Sequence, residues 1–227
     1  MILGLDTATA DTAVALWAPG GPEVERRDEP PLGARPAHAL RLLPLVEEVL
    51  VAAGAGWEQI ERIAVGVGPG SFTGLRLGIA TARGLAQARK LPLVGVSSLA
   101  ALSRGVRPPY PGGVRPPYVV AVIDARRGEV FALAEGEFGP AAFAPDDLAA
   151  RIRSGALTVG DGAVRFREPL ERAGAVIPAD DATQHRVSAL QICRLGAEGQ
   201  PADRDSLLPD YRREPDAKPR SPEKPSP

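Results

Sequence analysis

The chain has 227 residues, 44% hydrophobic and 24% charged, the composition of an ordinary globular protein of one or two domains with enough apolar material for a sizeable core. Its formal net charge of −1 gives no basic face at the level of the whole chain, which argues against nucleic-acid binding by the chain unaided. The single cysteine, Cys193, excludes an internal disulfide and suits a reducing compartment.

Met1 leads directly into an apolar run, with no basic leader, no long apolar leader and no membrane-spanning stretch, so a cytoplasmic location is expected. "ILGLDTA" predicts a buried strand ending at Asp6. "TAVALWAP" continues as a second strand after a turn at Ala10 and Asp11, and "PEVERRDE" (Pro22–Glu29) predicts a third, polar and near an edge. Together they predict an antiparallel meander. In "HALRLLPLVEEVLVAAG", Leu42, Leu43, Val46, Val49 and Leu50 recur at helical spacing and Gly54 stops the run. Pro44 interrupts it, leaving either a kink or a separate first turn over His38–Leu43. Ile63–Val67 predicts a strand entering the glycine-rich turn "GVGPGSFTGLRLG". A helix over Thr73–Ala88 follows, then a strand in "LPLVGVS". The first half therefore reads β-β-β-α-β-α-β.

The second half opens after a repeated "GVRPPY" at Gly105 and Gly113, expected to be a rigid connector. "YVVAVIDARRGEVFALAE" then repeats the order of "MILGLDTATADTAVALWA": an apolar strand ending in Asp, a polar turn, a second apolar strand. Asp124 falls where Asp6 fell. An internal duplication is the simplest explanation, with two related lobes, residues 1–104 and 105–214, facing each other. Farther on, "PDDLAARIRSG" predicts a helix, "ALTVGDG" a strand into a glycine turn, and "SALQICRLGAEG" a helix. From Pro215 to Pro227 the proline-rich, charged tail lacks apolar anchors and is expected to be disordered.

The glycine turn resembles a phosphate cradle at first sight. A Walker A loop needs a lysine after its last glycine, and none follows Gly74. "GVGPGS" matches a dinucleotide fingerprint only loosely, because Ser71 stands at the third glycine position. The remaining physics is specific. Gly68 and Gly70 permit close backbone approach, Ser71 or Thr73 can cap the next helix, and Gly74 and Gly78 leave one helix face bare for a close neighbour. Two histidines far apart, His38 and His185, and no Cys/His cluster leave no metal site in the pattern. His38 is expected at a helix start, capping or exposed. No catalytic residue is assigned: there is no nucleophile elbow, and Cys193 reads as a core residue. Asp6 and Asp124 each end a buried strand. They either fix the turn that follows or face one interlobe cleft as a candidate site for a metal-bound nucleotide.

"ILGLDTATADTAVALW", "HALRLLPLVEEVL", "GVGPGSFTGLRLGIATARGLA", "LPLVGVSSL" and "VIDARRGEVFAL" together resemble the TsaB (YeaZ) family, over Met1 to about Leu133. "VGDG" and "LLPDYRRE" correspond more loosely, with Arg212 where the family has leucine. The resemblance implies an α/β fold of two RNase H-like lobes of the actin/Hsp70 (ASKHA) type, mixed sheets flanked by helices. It implies a non-catalytic scaffold that pairs with TsaD and, with the ATPase TsaE, allows threonylcarbamoyl transfer to N6 of a tRNA adenosine. A homodimer through the same surface is also implied. ATP and metal would belong to the partner subunits, and tRNA would be met only through the complex. The family pairs through its first two helices, which maps the candidate interface onto Leu42, Leu43, Val46, Leu75, Gly78, Ile79 and Ala82; the alternative for each of them is a place in the core. Changing Gly78 or Leu75 is then expected to break pairing while leaving the monomer folded. The rival readings are an independent Mg-nucleotide phosphotransferase or ATPase of the same superfold and, disfavoured by the lack of metal ligands, a metallopeptidase.

Overall fold

Strand β1 (Ile2–Asp6) is buried along its whole length, and it lies at the centre of a five-stranded sheet. It pairs antiparallel with β2 (Thr12–Trp17) and parallel with β4 (Arg62–Gly68). The polar strand β3 (Glu23–Asp28) and β5 (Leu93–Ser97) form the edges, giving the order β3-β2-β1-β4-β5. The computed structural model describes residues 1–30, 35–106 and 118–212. The proline-rich connector, apart from its ends, and the tail from Pro215 lie outside the described residues.

The two faces of this sheet differ in side-chain size, and that difference decides what packs on each. Leu3, Leu5, Val14, Leu16, Ile63 and Val65 point to one side. There they meet helix α1 (His38–Ala53) and helix α2 (Phe72–Arg89). Gly4, Ala13, Ala15 and Ala64 point to the other side, where helix α7 (Ala189–Glu198) lies close. A Cβ on Gly4 would collide with Cys193 Sγ and the Ala189 carbonyl, and one on Gly196 would strike Ala64. Small residues on both surfaces therefore set the helix-to-sheet distance. Cys193 is held against the Ile2 and Ala15 carbonyls, and burial pushes its thiol far above its ordinary value.

Helix α1 is continuous through Pro44 rather than split at Leu43. Proline removes one helical hydrogen bond and costs about 3 kcal/mol in a helix interior. Here Pro44 lies on the exposed face, where water can reach the freed carbonyl. The buried Leu42, Leu45, Val46, Val49 and Leu50 on the inner face each contribute about 1.5–3 kcal/mol. Gly54, with φ of 61°, ends the helix as the sequence predicts.

A four-stranded sheet repeats the arrangement with β8-β7-β6-β9, built from β6 (Val119–Arg126), β7 (Glu129–Ala134), β8 (Phe138–Phe143) and β9 (Leu157–Val159). Its central strand again pairs antiparallel with the next strand and parallel with the fourth. The duplication read from "LD" and "ID" is thus a duplication of topology. Short helices α4 (Pro145–Ala149), α5 (Asp161–Arg165) and α6 (Arg167–Arg172) cover the second sheet, and α4 is shorter than "PDDLAARIRSG" suggests.

The halves exchange helices. Helix α3 (Ser98–Arg104), from the first half, packs on β6 and β7, whereas α7, from the second half, packs on β1, β2 and β4. Leu99 and Leu102 of α3, Ile192 of α7, and Ala121 and Ile123 of β6 share one core with Val94 and Val96. Charged residues fasten the same junction: Glu25 on β3 accepts from the Ala189 N–H and the Ser188 hydroxyl at the start of α7, and Arg27 bridges Glu25, Asp11 and the Val187 carbonyl.

Candidate functional site

The glycine-rich turn joins β4 to α2 and presses on the loop after β1. The Gly68–Pro69 peptide is cis, and Gly68 has φ of 101°. A Cβ on Gly70 would collide with Ala8, whose carbonyl accepts the Ser71 N–H at 2.7 Å. Ser71 caps α2, its hydroxyl accepting the Gly74 N–H at 3.3 Å. Thr7 completes the lock by donating its hydroxyl to the Gly74 carbonyl at 2.8 Å. A Cβ on Gly74 would sit on the Thr7 carbonyl, and one on Gly78 on the Thr7 hydroxyl. The bare face of α2 therefore receives Thr7 of its own chain, not a helix of another. This corrects the placement of Gly78 in a partner interface. His38 does lie at the start of α1, but it is buried and does not cap the helix; its Nδ1 lies 2.8 Å from the Thr12 hydroxyl, and burial lowers its pKa.

The other predicted interface residues divide by burial. Leu42 and Val46 of α1 and Leu75, Ile79 and Ala82 of α2 are all buried within the first lobe. They are core residues, which corrects their assignment to a partner surface. Leu43 alone of the seven is open, at 51% exposure. The outward apolar row of α1 is Leu40 (77%), Leu43 and Val51 (81%). On α2 the outward row is Ala80, Gly84 and Ala88, small residues four apart, and the space beside Gly84 is open. Phe72 begins that helix, 44% exposed, stacked on Tyr211 at 5.3 Å and covered by the Arg76 guanidinium at 3.8 Å. Leu40, Val51 and Phe72 are absent from the sequence assignment; on α1 the exposed Glu47 stands between Leu43 and Val51 and interrupts the apolar spacing.

The segment "LLPDY" returns to this lobe. Arg83 on α2 donates to the Asp205 and Leu207 carbonyls, Leu207 packs into the α1–α2 core, and the Asp210 N–H meets the Val67 carbonyl at 2.8 Å. Arg76 Nε donates to the Tyr211 hydroxyl at 2.8 Å.

Asp6 and Asp124 do not sit alike. Asp6 is 1% exposed, accepting from the Ala8 N–H at 2.9 Å and from the Ser98 hydroxyl at 2.6 Å. Gly66 packs against it so closely that a Cβ would overlap the carboxylate. Burial raises its pKa to about 6 against these two hydrogen bonds. Asp124 accepts the Arg126 N–H at 2.8 Å and Arg165 Nη1 at 2.8 Å, with Arg126 Nη1 at 3.3 Å. Both carboxylates thus hold turns and strand ends with their own neighbours. Among the described residues, no three His, Cys, Asp or Glu side chains gather where they could hold a metal ion. No helix among them is long and apolar enough to cross a membrane.

The elevated pKa of Asp6 has a thermodynamic consequence. The folded state binds this proton more tightly than the unfolded chain, so the carboxylate favours folding below about pH 4 and disfavours it above about pH 6. The shift of about two units corresponds to roughly 3 kcal/mol. Asp6→Asn, whose oxygen can accept from the Ala8 N–H while its amide donates to the Ser98 oxygen, is expected to be as stable as the wild type or up to about 3 kcal/mol more stable at pH 7.5. It should also lose part of the stability decline between pH 4 and 6. Urea titrations at pH 5 and 7.5 measure this. A variant clearly less stable at pH 7.5 would refute the assignment.

Residues 30–150 match the family described as "TsaD: tRNA N6-adenosine threonylcarbamoyltransferase". The chain is 42% identical over 130 residues to the tRNA threonylcarbamoyladenosine biosynthesis protein TsaB of Escherichia coli, covering 57% of this chain and 52% of that protein. The Haemophilus influenzae protein of the same name is 38% identical over 130 residues, covering 57% of this chain and 51% of that protein. The chain thus spans about half the length of these curated relatives. The structure superposes on YeaZ of Pseudomonas aeruginosa with a TM-score of 0.73 and 30% identity, covering 92% of this chain and 98% of that one.

Proposed function

We propose, from the fact that this chain belongs to the TsaB/YeaZ family, that it is the non-catalytic pairing subunit of a tRNA threonylcarbamoyladenosine-forming complex. In this reading its first lobe, residues 1–104, docks onto a TsaD-type transferase. A TsaE-type ATPase completes the assembly, and threonylcarbamoyl passes to N6 of a tRNA adenosine in the partner's site. ATP and metal are held by the partners. The same face also allows two copies of this chain to pair.

The observation that carries the reading is the double use of α1. Its inner stripe is fully spent on the core, yet Leu40, Leu43 and Val51 remain outside it, beside the small row Ala80, Gly84 and Ala88 of α2. Leucine and valine exposed along one helix face, with Glu47 among them, suit a helix pair from a partner. The small row lets that pair approach closely. The independent nucleotide-enzyme reading gains nothing from Asp6 and Asp124, since Asp6 is enclosed and Asp124 is neutralised by arginine.

Co-expression with a TsaD-type subunit from the same organism tests the pairing. The expected result is a stoichiometric complex on size-exclusion chromatography. Separate elution at micromolar concentration would sink the proposal.

A further inference from the structure

The β6–β7 hairpin carries a cost that its fold does not require. Arg126↔Glu129 pairing leaves Arg127 and Gly128 as a two-residue turn. Arg126, Arg127 and Gly128 all have positive φ, at 65°, 55° and 83°. Glycine, asparagine or aspartate adopts this conformation readily, whereas two successive arginines pay roughly 1–2 kcal/mol each. Non-glycine residues held in such a conformation direct attention to their side chains.

The Arg126 side chain converges with that of a third arginine, and Arg127 is its neighbour in the turn. Arg126 and Arg165, from the hairpin and from α5, each offer one Nη1 to Asp124 Oδ2, at 3.3 and 2.8 Å. The Asp124 side chain is 6% exposed, whereas Arg126 and Arg165 are 64% and 49% exposed. Asp161 lies below, accepting the Asp124 N–H at 3.0 Å. Glu129, the register partner of Arg126, lines a depression with Phe143, Asp147 and Arg151. Arg126, Arg127 and Arg165 are all exposed residues, so the hairpin tip and the end of α5 together offer solvent a surface rich in arginine. A buried carboxylate needs one cation, and Asp124 has two, each with donors to spare. Planar forks of this kind match phosphate oxygens.

We infer that the Arg126–Arg127–Arg165 cluster is a contact for the phosphodiester backbone of the RNA substrate, with Asp124 as the positioning residue that aims Arg126 and Arg165. This rests on the pairing function proposed above. A single exposed tip suits a polyanion docked mainly on the partner, and it agrees with a chain whose net charge of −1 gives it little affinity alone.

Arg127→Gly separates this role from a structural one, because glycine relieves the turn. The complex with the TsaD-type subunit is titrated with an unmodified transcript of a tRNA reading codons that begin with A, at several salt concentrations. Arg127→Gly should keep or raise the thermal stability of the chain, weaken tRNA binding about 3- to 10-fold, and lower the log–log salt slope by about 1. The double variant Asp124→Asn/Arg165→Gln, which removes the cation together with the charge that it neutralises, should weaken binding as well. Unchanged affinity and slope in both variants would overturn the inference. So would loss of pairing with unchanged tRNA binding, which would make the tip a protein contact. If the wild type does not pair, the pairing reading fails. The same titration on the chain alone then decides this inference, equal affinities of wild type and Arg127→Gly refuting it.

Discussion

Leu43→Glu combined with Val51→Glu is expected to abolish pairing with the transferase subunit while leaving the chain folded. Both side chains are mostly outside the core, at 51% and 81% exposure, so their loss costs little stability. In a complex each would be buried, and burying a carboxylate in place of an apolar side chain is costly unless a cation meets it. Interface anchors of this kind contribute 2 kcal/mol or more each, so the pair should weaken association by roughly three orders of magnitude. The control is Leu42→Ala, one residue away and 1% exposed. It should lower folding stability by about 2–5 kcal/mol. Circular dichroism melts and size-exclusion binding measure both. A double-glutamate variant that still pairs with near wild-type affinity would move the interface to another face.

The second large effect is Gly74→Ala, expected to destabilise the first lobe by about 3 kcal/mol or more without any direct effect on partner affinity. The added methyl would land on the Thr7 carbonyl, a backbone atom that cannot rotate away. Either α2 lifts from the sheet or the β1–β2 loop shifts, and the second choice strains the Asp6–Ala8 hydrogen bond. Gly78→Arg follows the same logic with a larger side chain against Thr7, so it is a folding mutation and not a test of pairing. Urea denaturation measures the cost. A Gly74→Ala variant as stable as the wild type would mean that the turn does not lock the lobe in this way.

Much of the architecture was legible because local patterns carry it. The alternation in "TAVALW", the apolar run of "ILGLD" and the glycine stop at Gly54 each predict their own element. The repeated strand-Asp-turn order revealed the duplicated topology. The interface was less legible because α1 is apolar on more than one face. Spacing alone cannot tell whether Leu42 or Leu43 turns inward; the sheet decides it, through contact with Leu3, Leu5, Val14 and Leu16. The glycines of α2 announced a close neighbour, but its identity, Thr7, lies 67 residues from Gly74 and carries no local signal. Helix α3 was missed because "SLAALSR" is too short for a clear period. Strand β8 was missed because "FGPAAF" holds glycine and proline at a sheet edge.

The central claim is that this chain acts by pairing. The most direct measurement is reconstitution: TsaD-type and TsaE-type subunits from the same organism, threonylcarbamoyl-AMP and an unmodified tRNA transcript, with and without this protein, scored by mass of the modified adenosine. Transfer that depends on this protein, and that falls to background with Leu43→Glu/Val51→Glu, is the predicted result. Equal transfer in its absence would contradict the account.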